Sequence, residues 1–79
     1  MIKVTWWRAE GKPGRGKVVG AVQLSDDSLQ VDAGVEEMFD DLLDENDVKR
    51  DDLKGVAEAL RDAPGLFGGP YLWVGVSER

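Results

Sequence analysis

Pro70-Tyr71-Leu72-Trp73-Val74-Gly75-Val76 decides the fold. Aromatic and β-branched residues dominate it, and such residues suit a pleated, half-buried surface. The turn-forming run Pro64-Gly65-Leu66-Phe67-Gly68-Gly69 introduces it, and only Ser77, Glu78 and Arg79 follow. A terminal strand this apolar needs a sheet to join. The segment of matching character lies at the opposite end, Ile2-Lys3-Val4-Thr5-Trp6-Trp7. The last strand is therefore expected to dock beside the first.

Between those ends the periodicity changes. Residues 2–8 alternate, with Ile2, Val4 and Trp6 on one face and Lys3, Thr5 and Trp7 on the other, the pattern of a half-buried strand. Residues 9–16 hold three glycines and a proline and read as a loop. Residues 17–24 read as a second strand, with Val18, Val22 and Leu24 on one side and Val19, Ala21 and Gln23 on the other. Gly20 inside it marks a bulge or a close backbone approach. Ser25-Asp26-Asp27-Ser28 is a turn by composition, and residues 29–31 form a short third strand.

Asp32 is read as the N-cap of a first helix. Val35, Met38, Phe39, Leu42 and Leu43 then recur at helical spacing. Acids at the end of a helix oppose its macrodipole, so Asp44-Glu45-Asn46-Asp47 ends it near Glu45. A second helix starts at Asp51 or Asp52 and carries the stripe Leu53, Val56, Ala57 and Leu60. Pro64-Gly65 is expected to stop it. The order β-β-(β)-α-α-β predicts one small α+β domain. Its sheet has three or four strands, mainly antiparallel, with two amphipathic helices on one face.

Ala59-Leu60, Ala63-Pro64 and Phe67-Gly68-Gly69-Pro70-Tyr71-Leu72 resemble the ends of short, uncharacterised open reading frames of phages and prophages. The resemblance covers about a quarter of the chain and carries no defined activity. It implies a phage setting, in which small domains serve assembly or interfere with host machinery.

Composition narrows the chemistry. The 79 residues contain no cysteine and no histidine. Disulfides, thiolate ligands, the usual neutral-pH base and the commonest zinc ligand are thereby excluded. No apolar run approaches the ~20 residues that cross a bilayer, and the N-terminus does not read as a signal peptide. The expected location is the cytoplasm. Net charge is −6, unevenly spread. Residues 1–25 set five cations against Glu10 alone, a net +4, while residues 26–63 carry a net −10. That acidity counts against generic nucleic-acid binding, which needs clustered Lys and Arg.

Three motif matches lack the parts their chemistry needs. Gly11-Lys12-Pro13-Gly14-Arg15-Gly16-Lys17 matches a phosphate-binding loop until Val18 stands where Ser or Thr would hold magnesium, and no helix follows. Val31-Asp32-Ala33-Gly34 lacks the hydroxyl of an aspartic-protease loop. In the acidic stretch Asp40–Asp52, no frame starting at Asp40 or Asp44 supplies the glycine of a calcium loop. No enzyme, cofactor or metal site is expected.

Two surfaces remain. If Ile2, Val4, Trp6, Leu72, Val74 and Val76 face the helices, then Trp7, Tyr71 and Trp73 share the open side of the sheet. Lys12, Arg15 and Lys17 would provide basic charge beside them. The alternative is that the loop 9–16 or the segment 66–69 folds over the rings as a second small core. Single-stranded nucleic-acid binders also set aromatics on sheets, with Lys3, Arg8 and Lys17 available here, but the acidic total opposes that reading. The second surface is the acidic helix face of Glu36, Glu37, Asp40, Asp41 and Asp44. The expected function is a non-enzymatic interaction or assembly module with a protein partner or itself. The alternative is an acidic mimic of nucleic acid that inhibits a host enzyme.

Overall fold

A computed structural model describes residues 1–9, 16–66 and 72–78. Lys12, Arg15 and Tyr71 lie outside the described residues, as do positions 11–15 of the phosphate-loop-like stretch and 67–69 of the segment that was expected to be able to cover the aromatic rings. The elements are β1 (Ile2–Ala9), β2 (Gly16–Ser25), β3 (Ser28–Val31), a 3-10 turn (Ala33–Val35), α1 (Glu36–Glu45), α2 (Leu53–Leu66) and β4 (Leu72–Glu78). They build an α+β fold around a four-stranded sheet of order β3-β2-β1-β4, with every described pairing antiparallel. The two ends of the chain meet as expected, with Ile2 opposite Glu78 and Trp7 opposite Trp73.

The core fills the space between the sheet and the helices. Val4, Trp6 and Val22 from the sheet and Val35, Phe39, Leu42, Val56 and Leu60 from the helical side are fully buried. Each such side chain contributes about 1.5–3 kcal/mol by leaving water.

One residue of β2 breaks the expected alternation. Trp6 pairs with Gly20 but Trp7 pairs with Val18, so Val19 is an extra residue in the ladder. A bulge of this kind turns every residue beyond it to the other face. Val18 therefore does not join Val22 and Leu24 in the core; it is 56% exposed. Val19 packs against the core instead. Gly20 also meets the second expectation for it, because a Cβ there would lie 3.1 Å from Val35 Cγ1.

Asp32 occupies the N-cap position of the 3-10 turn rather than of α1, whose N-cap is Val35, and its side chain makes no cap bond. Its carboxylate Oδ2 instead accepts the Ala21 N–H at 2.9 Å, while its own N–H donates to Ala21 O at 3.1 Å. The side chain completes the β2–β3 ladder where the main chain leaves it. That frees the Asp32 carbonyl to accept the Val35 N–H and close the 3-10 turn.

α1 ends at Glu45 through backbone bonds. Val48 N–H donates to Leu43 O and Asp47 N–H to Asp44 O, with Asp47 at φ 54°. This is the paired closure of a Schellman end. α2 begins at Leu53, one or two residues later than expected, with Asp52 Oδ1 accepting the Gly55 N–H. It also runs through Pro64 to Leu66. A proline in the last turn forfeits one bond, to the Leu60 carbonyl. Leu60 and Ala63 are fully buried and hold that turn against the core.

Candidate interaction surface

Strand alternation assigns the side of the sheet away from the helices. Across it run a polar row of Gln30, Gln23, Lys3 and Ser77, a row of small residues Ala21, Thr5 and Gly75, and a row of Val18, Trp7 and Trp73. Trp7 and Trp73 stack with centroids 6.5 Å apart and planes 16° from parallel. Both are half-buried.

Two glycines let the rings lie close to the backbone. A Cβ on Gly75 would come 2.9 Å from Trp7 Cζ3, and a Cβ on Gly16 would collide with the Trp73 ring. Trp7 thus covers its β4 neighbour, while Trp73 reaches past β1 to β2. Val18 extends the apolar row because of the bulge. A hollow of about 470 Å³ lined by Met1, Lys3, Thr5, Gln23 and Ser77 lies along the polar row.

Trp7 and Trp73 are therefore brought together, as the sequence predicts. Lys17 is not beside them. It pairs with Arg8 across β1 and β2, on the helix side by alternation, because the bulge shifts its parity. Gly16, Gly75 and Val18 were not among the expected surface residues. A glycine inside an otherwise apolar strand is the available signal for a closely approaching ring.

The acidic helix face divides in two. Arg50 donates to Glu36 Oε2 and, at 3.0 Å, to Asp40 Oδ1, with its guanidinium 5.1 Å from the Phe39 ring centroid. These hydrogen bonds, Glu36 first and Asp40 second, raise the Arg50 pKa further. All three side chains are about half exposed, where such pairs contribute little stability. Glu37, Asp41 and Asp44 remain exposed on the outer side of α1.

A further ion pair joins α2 to β4, with Arg61 Nε and Nη2 both donating to Glu78 Oε1 at 3.1 and 2.9 Å. Among the described residues no group of three or more acidic side chains converges as a metal site. No described helix is long and apolar enough to cross a membrane. No protein-family model, curated protein or solved structure matches the chain.

Proposed function

We propose that this chain is a non-enzymatic protein–protein interaction or assembly module, and that a protein partner docks on the open face of its sheet. The observation that carries the reading is the stacked Trp7–Trp73 pair, seated over Gly75 and Gly16 and continued by exposed Val18. Large, rigid rings held in place before binding lose little entropy on contact, and tryptophan is enriched at the energetic centres of interfaces. The phage resemblance supports an accessory or structural role in a phage. With the cysteine-free composition it supports the host cytoplasm as the setting.

The test is the double variant Trp7→Ala/Trp73→Ala used as bait beside the wild type in a host lysate. A specific protein retained by the wild type and lost by a still-folded variant is expected. Equal retention by both would overturn the reading.

The second reading, an acidic mimic of nucleic acid, draws on Glu37, Asp41 and Asp44 facing outward from α1. Arg50 counts against it by compensating Glu36 and Asp40. Charge reversal at Asp41 and Asp44 would abolish binding by a mimic and leave a sheet-face binder largely intact.

A further inference from the structure

The sheet has two edges, and they differ. β3 has four residues and is flanked by Asp26, Asp27 and Asp32. Short length and charge are the ordinary protections of an edge strand. β4 has seven residues, and from Leu72 to Ser77 it carries no charge, proline or register shift. Among the described residues no strand lies beyond it.

The direction of its backbone groups follows from one bond. Asp32 N–H donates to Ala21 O, so Ala21 turns its backbone toward β3. In an antiparallel ladder that direction alternates residue by residue. Val22 and Val4 then face each other, Thr5 and Gly75 face each other, and Val74 and Val76 turn theirs outward. On the helix side the side chains of Leu72, Val74 and Val76 are half-buried, whereas Val4, Trp6 and Val22 further in are completely buried.

We propose that β4 pairs with β4 of a second copy of this chain, antiparallel and centred on Gly75, to give a continuous eight-stranded sheet. An isologous two-fold contact must be self-complementary, and this register is. Val74 exchanges both backbone bonds with Val76 of the second copy, so apolar side chains meet apolar side chains over the core. Charge agrees at both ends. Glu78 falls opposite Leu72 of the second copy, and that Leu72 is paired with its own Arg8. Two strand spacings, about 10 Å, separate Glu78 from this Arg8, within the combined reach of the two side chains. Arg8 is exposed and forms no ion pair among the described residues. Both bonds from Arg61 end on Glu78 Oε1, which leaves Oε2 directed to neither of them.

The contact stands apart from the docking face proposed above, because it uses the edge of the sheet and leaves Trp7 and Trp73 uncovered. Light scattering across a dilution series is expected to give a mass near twice the 8.7 kDa of the chain at the concentrated end. Amide exchange is expected to show Val74 and Val76 as protected as Trp73 and Gly75. Val76→Pro removes an outward donor, where an edge strand tolerates proline. It should weaken the dimer about tenfold to a hundredfold through two lost bonds, while Val76→Ala, which keeps the N–H, should dimerise. Arg8→Glu should weaken it too, and a dimer indifferent to that change would overturn the Gly75-centred register. A wild-type monomer with fast exchange at Val74 and Val76 would overturn the pairing altogether and leave the open-face reading standing.

Discussion

Trp7 and Trp73 stand directly opposite each other on β1 and β4, and each ring rests over a glycine, Trp7 over Gly75 of β4 and Trp73 over Gly16 of β2. The pair is stacked yet only half-buried. A packed core is not required to hold such rings when the strand beneath offers bare backbone. Their geometry is set by the sheet before anything binds.

Gly75→Val tests that seating. A Cβ at this position meets Trp7 Cζ3 at 2.9 Å and Cη2 at 3.1 Å, and valine adds two methyl groups beyond it. The ring has to move outward. Stability is expected to fall by about 1–3 kcal/mol, the usual cost of overpacking, with loss of the coupled tryptophan signal in near-ultraviolet circular dichroism. An unchanged signal would mean that Trp7 does not lie over Gly75.

The neighbouring tryptophans Trp6 and Trp7 should behave in opposite ways. Trp6 is fully buried among Val4, Val22, Phe39 and Leu60 in one cluster. Trp6→Ala is expected to cost about 3–5 kcal/mol, enough to unfold much of a domain this small. Trp7→Ala removes a half-buried ring from the other face and should leave a cooperative urea transition. Equal loss of structure in both variants would make Trp7 a core residue.

The strand and helix periods made most of the fold legible. The alternation in residues 2–8 and the stripe from Val35 to Leu43 each point to one buried face, and the structure buries it. What escaped was the consequence of a single extra residue. Nothing in Lys17-Val18-Val19-Gly20 says whether the strand bulges here or only passes close to a neighbour at Gly20, yet that choice decides which of Val18 and Val19 meets water. Arg50 escaped because it lies outside α1, and only the turn after Asn46 brings it back to Glu36 and Asp40. Tertiary placement, not local propensity, sets both.

Asp32 carries a prediction of its own. Its carboxylate replaces a main-chain acceptor for Ala21 N–H. Asp32→Ala is expected to cost about 1 kcal/mol, the net worth of such a bond, and to quicken exchange at the Ala21 amide. Asp32→Asn keeps a side-chain oxygen and should restore most of the protection. If alanine and asparagine behave alike, the bond does not hold the end of the ladder.

The pair Arg61–Glu78 gives a pH dependence whose sign is fixed. The Glu78 carboxyl is held below its usual range, first by hydrogen bonds from Arg61 and then by the charge of that guanidinium, with desolvation opposing. A carboxylate whose pKa is depressed on folding binds protons more readily in the unfolded chain. Its contribution is therefore complete at neutral pH. It fades as pH falls through the ordinary carboxylate range and is gone below the depressed folded value. Both side chains are about half exposed, so the effect is small and screened by salt. The urea midpoint of the wild type should fall more between neutral and acid pH than that of Glu78→Gln, and the two should converge at the acid end. Parallel pH profiles would show that the pair does not anchor the last residues of β4 to α2.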